Sequence, residues 1–318
     1  MTTRLKEAVS ASWLSERLGL KLLGEDRQIL EVCVLDKLAA GGLSFVLRGR
    51  APECATAGTV FARADAAANG LSIIASPNPR LDFIRGQHIL DRTPGFAPAT
   101  EPPNLHPTVQ VGPHTTIENG VEIGEGTRIG SSVVIKSGTR IGKFCDIKSG
   151  AIIGEPGFGF ERDPDGRPWK MIHLGGVLIG DHVEIGALNT IVRGALGETV
   201  LEDYVKTDDH VHIAHNCHIG ERTLITACAE LSGSVTVGRE VWISPNCTIT
   251  QKVTIGDKAF IGIGAVVLRD VEPGVKVFGN PAKPLMGGFG RRRTTPLHRG
   301  VPEAQPAEGS KDPGPAAP

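Results

Sequence analysis

The sequence predicts a mainly β protein, a triangular parallel β-helix of six-residue repeats behind a small α/β domain. Three observations carry this. An aliphatic residue recurs at every sixth position through most of the chain, and a glycine directly follows many of those positions. The 318 residues also hold 41 glycines but only 4% aromatics, which suits a core of stacked small side chains with many tight corners. A period of six fits neither the 3.6 of an α-helix nor a long alternating strand. Three such units, however, make an eighteen-residue coil with one short strand on each of three faces.

Residues 1–100 lack the period. There, Leu5 to Leu18 suits an amphipathic helix, LSFVLR, GTVFAR and LSIIAS suit short strands, and PNPRLDFIRGQHIL suits a helix started by proline. The Pro-rich linker TPGFAPATEPPN then leads into a repeat domain spanning about 101–285. Its first run is Leu105, Val111, Ile117, Ile123, Ile129, Ile135, Ile141, Ile147 and Ile153, followed by a short run of Ile179, Ile185 and Ile191. The last run is Leu201, Thr207, Ile213, Ile219, Ile225, Leu231, Val237, Ile243, Ile249, Ile255, Ile261 and Val267, in which only Thr207 breaks the aliphatic class. These twenty-four positions make roughly eight coils, or about 38 Å at the ~4.8 Å spacing of neighbouring strands. Glycine after the repeated residue, as at Gly124, Gly130, Gly142, Gly220 and Gly256, is expected to free the chain to turn each corner.

Two interruptions are predicted to be loops expelled from the prism, natural places for ligand contacts. One is GEPGFGFERDPDGRPWKMIHLGGVL between Ile153 and Ile179, and the other is about four extra residues within RGALGE before Leu201. From about Met286 to the end, Arg291, Arg292 and Arg293 stand among Gly, Pro and Ala, which predicts a disordered tail.

Lys and Arg (34) balance Asp and Glu (35), so no global field draws the chain toward nucleic acid or an anionic membrane. The amino terminus lacks the apolar stretch of a signal peptide and no later run reaches membrane-spanning length, which predicts a cytoplasmic protein without a membrane span. Six scattered cysteines without a C-x-x-C pair predict buried, reduced thiols.

Titratable groups concentrate in Asp208-Asp209-His210-Val211-His212-Ile213-Ala214-His215-Asn216-Cys217-His218. Three readings stand open. His215 can serve as a general base for an amine or alcohol attacking an acyl carbonyl. His210 and His215 can ligate a metal, as in a carbonic-anhydrase-like site. The histidines can also be exposed wall residues of a β-helix that only binds. Eighteen residues beyond His215 stands Gly233, one coil above, whose open N–H suits an oxyanion donor.

The segment IGDHVEIGALNTIVRGALGETVLEDYVKTDDHVHIAHNCHIG, from Ile179 to Ile219, and the GFGFE loop at Gly157 to Glu161 resemble the UDP-3-O-acylglucosamine N-acyltransferases of lipid A synthesis. The resemblance covers about residues 5–275. It implies a left-handed β-helix, a homotrimer with sites between subunits, and transfer of an acyl group to the amine of a nucleotide-linked amino sugar. His215 then corresponds to the catalytic base, Asp208 to the acidic residue before it and Gly233 to the oxyanion glycine, with Asn216, Phe158, Phe160 and Lys252 as residues that bind the substrate. The chain departs from the family where its second histidine falls at Lys252, where Val192 replaces an aspartate, and where VLRGR replaces a uracil-binding stretch. The ending PGVKVFGNPAKPL is more similar to CoA-dependent sugar acetyltransferases, which implies Lys283 as a contact for a CoA phosphate. The co-substrate is an acyl thioester on acyl carrier protein or CoA. Such a thioester is already activated, so no metal and no tightly bound cofactor is expected.

Overall fold

The computed structural model describes residues 3–47, 57–66 and 70–284. The expected tail at 286–318, with its arginine triplet, and Cys54 lie outside them.

The amino-terminal part is built on one mixed sheet of six strands: β1 (Arg4–Ser10), β2 (Lys21–Leu23), β3 (Gln28–Val32), β4 (Gly42–Phe45), β5 (Thr59–Ala62) and β6 (Ser72–Ala75), ordered β1-β3-β4-β5-β6-β2. The strands expected in LSFVLR, GTVFAR and LSIIAS are β4, β5 and β6, whose apolar side chains are buried or nearly so. The proline-started helix is α2 (Pro79–Arg92), capped by the Asn78 carboxamide, which accepts the Leu81 N–H. The helix expected from Leu5 is corrected. Residues 4–10 pair antiparallel with β3, and only Ala11–Leu18 (α1) is helical, started by the Ser10 hydroxyl and stopped at Gly19 with φ 65°. Pairing with a distant strand outweighs the local helical pattern there.

From Asn104 the chain winds as a parallel β-helix. All twenty-four repeated positions fall on its three faces in order. One face stacks Leu105, Ile123, Ile141, Ile179, Leu201, Ile219, Val237 and Ile255. A second runs from Val111 to Ile261 and continues through Val277, and the third runs from Ile117 to Val267. Their side chains form one continuous core with a second inward row of small residues two positions earlier, such as Val121, Val183 and Ala229. Three cysteines sit in that row and donate to carbonyls of a neighbouring coil: Cys145 to Gly180 at 3.1 Å, Cys217 to Ser232 at 3.3 Å and Cys247 to Gly262 at 3.1 Å. Burial pushes the thiols of Cys145 and Cys217 up to about 11, so they stay protonated packing groups. The exception in the repeat, Thr207, accepts from the buried Asn189 amide at 2.6 Å, so the polar break is satisfied within the core.

The corner glycines act differently from expectation. The left-handed residue of each corner stands three positions after the aliphatic one and is mostly not glycine, as at Phe144, His182, Tyr204 and Asn216, with φ between 54° and 60°. Glycine directly after the aliphatic residue is instead a contact point between coils. A Cβ on Gly220 would lie 2.6 Å from the Gly238 carbonyl carbon, and one on Gly124 would lie 2.8 Å from that of Gly142.

Both interruptions leave the register intact, because Ile141 pairs with Ile179 and Ile179 with Leu201. The longer one is a strap with a hairpin of its own, Phe160–Arg162 against Pro168–Lys170. It is tied to α2: the Gln87 amide donates to the Ile172 carbonyl at 3.0 Å and accepts its N–H at 3.2 Å, and the Lys170 carbonyl meets His88 at 2.8 Å. Met171 and Leu174 of the strap belong to the core of the amino-terminal sheet, so prism and sheet share apolar packing.

Candidate active site

A groove of about 670 Å³ opens where the strap crosses the third face, between Pro156, Gly157, Phe158 and Val192 on one side and His212, His215, Glu230 and Gly233 on the other. His215 lies two residues past the third-face strand His212–Ile213 and is followed by Asn216 in the left-handed corner, with φ 60°. The Asn216 Oδ1 accepts the Ala195 N–H at 3.1 Å, which fixes the carboxamide orientation. The same oxygen lies 3.1 Å from His215 Nδ1, so Nδ1 carries the ring proton and Nε2 keeps its lone pair. This tautomer suits a base.

Gly233 sits directly over that ring. A Cβ there would lie 2.6 Å from His215 Cε1 and 2.7 Å from Nε2, so only glycine fits beside the imidazole. At the equivalent corner of other coils, the N–H of Lys143, Asp181, Ala187 and Arg239 is taken by an aspartate of the next coil. The next coil offers Gln251 over Gly233, and among the described residues nothing accepts the Gly233 N–H. A free backbone donor thus stands beside a free imidazole nitrogen.

The other expected residues divide. Phe158 lines the groove, is 88% exposed, and tilts its ring against that of Phe160 at 4.8 Å between centroids. Lys252 lies at an exposed left-handed corner, with φ 64°, and it is Gln251 that takes the groove position above His215 and Gly233. Asp208 is at the corner that opens the third face while His215 closes it; its carboxylate accepts the N–H of Asp209 and does not meet His215 within the chain. Asp209 holds the Ala187 N–H at 2.7 Å. Lys283 lies far along the axis, in a separate groove at the carboxyl end with Arg269, Val271 and Ala282.

Of the remaining histidines, His210 occupies the same opening corner as Asp208 and does not converge with His215, His212 faces the groove, and His218 pairs with Glu202 at 2.7 Å. Among the described residues no group of three His, Cys, Asp or Glu is placed to hold a metal. Sequence reasoning missed His173 and Gln251. Eighteen-residue arithmetic carried one step past Gly233 identifies Gln251, but no local pattern marks His173.

Comparison with known proteins gives the family. Residues 102–137 match the model of the bacterial transferase hexapeptide (six repeats). The UDP-3-O-acylglucosamine N-acyltransferase of Herminiimonas arsenicoxydans is 34% identical over 86% of this chain and 87% of its own, and that of Delftia acidovorans is 41% identical over 70% and 71%. The chain belongs to the UDP-3-O-acylglucosamine N-acyltransferase family. It is therefore a hexapeptide-repeat acyltransferase, and the groove is the candidate centre of that family in this chain. The UDP-N-acetylglucosamine acyltransferase of Francisella novicida shares its fold, with a TM-score of 0.53 at 27% identity over 59% of this chain and 67% of that one. LpxA of Acinetobacter baumannii does so with a TM-score of 0.52 at 27% identity over 59% and 70%. Among the described residues no helix is long and apolar enough to cross a membrane.

Proposed function

We propose that the chain transfers an acyl group from a thioester to the amine of UDP-3-O-acylglucosamine, the acceptor carried in the names of its relatives, with His215 as general base. The observation that carries this reading is the pairing of a proton-accepting His215 Nε2 with the unpartnered Gly233 N–H in one groove. The acceptor amine attacks the thioester carbonyl while Nε2 takes its proton. The Gly233 N–H supports the negative oxygen of the tetrahedral intermediate. As the intermediate collapses, the C–S bond breaks and the imidazolium returns the proton to the departing thiolate, leaving amide, free thiol and neutral His215.

Asp208 stands at the opposite corner of its own chain, so its carboxylate reaches a His215 only across the seam between copies of a homotrimer. The corner line of His215, Gly233 and Gln251 continues to Arg269, about 14 Å away at ~4.8 Å per coil. Arg269 and Lys283 face the same end groove. A carrier arm laid along the line puts its thioester at His215 and its phosphate at that cationic end, in either acyl carrier protein or CoA. Both carriers are cytoplasmic, and there the enzyme acts.

The test is His215→Ala. The expected result is a folded protein, unchanged in melting temperature within a few degrees, whose acceptor-dependent thiol release falls by about 10²–10⁴-fold. Undiminished turnover in that variant removes His215 from the chemistry.

A further inference from the structure

A second imidazole lies against the first. His173, on the strap, is 4% exposed, and its ring meets that of His215 edge-on at 5.2 Å between centroids. Its Nδ1 lies 3.0 Å from the Met171 carbonyl, which can only accept, so the proton is on Nδ1 and the lone pair on Nε2. Nε2 is buried without a hydrogen-bond partner. A Cβ on Gly157 would lie 3.2 Å from His173 Nε2 and 3.2 Å from His215 Cδ2, so the missing side chain leaves these two atoms facing one small gap. Gly159, 3.0 Å from His173 Cε1 on the same measure, closes the strap over the ring.

We propose that His173 is a positioning residue whose buried lone pair is held toward the edge of His215 to stabilise the positive charge that His215 acquires when it takes the proton. The inference rests on the reading of His215 as the base. A buried acceptor with no protein partner is a cost in the resting protein. It is offset only when a positive edge appears beside it, which happens when His215 becomes imidazolium. A dipole already oriented for that moment needs no reorganisation during the reaction. For this His173 must remain neutral. Burial, and then the neighbouring His215, lower its proton affinity from 6.5 to about 4, so it stays unprotonated while His215 takes up and releases protons. The other charged and titratable groups around the pair are Lys170 on the strap, the buried Arg193 beneath it, and Glu155, His212 and Glu230 along the groove. None hydrogen-bonds either ring.

The test compares the intact protein with His173→Phe, which keeps the ring and loses the lone pair, and His173→Gln, which restores an acceptor. The His215 titration is followed by NMR in the free protein, and the pH profile of kcat/KM is followed with UDP-3-O-acylglucosamine and an acyl thioester. In His173→Phe the His215 midpoint is expected to fall by about one pH unit, a tenfold loss of proton affinity. The acid limb of kcat/KM moves down with it, kcat drops by about tenfold, and His173→Gln recovers most of both. A purely structural role would lower the melting temperature without moving the midpoint. An unchanged His215 midpoint in folded His173→Phe overturns the proposal. Full turnover in His215→Ala overturns the base reading and the catalytic half of this one, while the NMR shift reports on the pairing by itself.

Discussion

Asn216 does two things at one corner: its backbone takes a left-handed φ of 60°, and its Oδ1 receives both the Ala195 N–H and the His215 Nδ1–H. The two roles separate by substitution. Asn216→Gly keeps the turn and drops the oxygen, so kcat/KM for thiol release is expected to fall by about 10²-fold with little change in melting temperature. Asn216→Ala drops the oxygen too and leaves in the left-handed region a residue that tolerates it less well than asparagine, so it should unfold about 1 kcal/mol more easily in urea than the intact protein. At this scale the sequence was legible where spacing decides, since eighteen residues carry His215 to Gly233. It was less so where a neighbour one step along the chain competes, as with Lys252 and Gln251. His173 was not legible at all. It is buried on a strap whose Ile172 bonds to Gln87, eighty-five residues away in sequence, and no local pattern encodes that contact.

The coil shows how a correct element can rest on an incorrect reason. Glycine after the repeated aliphatic residue was expected to serve the turn, yet the turns use Phe144, Tyr204 or Asn216, and the glycines serve the stacking of one coil on the next. Gly220→Val therefore sets a side chain against the Gly238 backbone 2.6 Å away. It should cost about 1–3 kcal/mol in chemical unfolding, even though the backbone conformation at Gly220 is open to valine. β1 is the opposite case, an element whose pattern was read as helical from Leu5 because its partner, β3, lies beyond the window in which periodicity is judged. The strap was recognised as an expulsion from the prism by its Gly, Pro and charge. Its hairpin and its bonds to α2 depend on tertiary docking, which composition does not report.

In the molecule as a whole, buried His173 couples stability to acidity. Its proton affinity is lowered by burial to about 4, whereas the unfolded chain binds a proton near 6.5. Between those values the unfolded state holds more protons, so stability rises with pH through that window and is lost as pH falls through it. The loss approaches about 3 kcal/mol by pH 4, and His173→Phe should flatten the dependence of the urea midpoint on pH between 4 and 6.5. The eighteen-residue register has another consequence. Because Val237 and Ile255 occupy the same place on successive coils, excising Gly238–Ile255 joins Val237 to Gly256 in phase and leaves His215 and Gly233 where they are. Arg269 and Lys283 would then stand one strand spacing, ~4.8 Å, nearer to the imidazole. The solenoid is thus a ruler graduated in whole coils, and the reach between its reacting end and its phosphate end is an integer that can be edited.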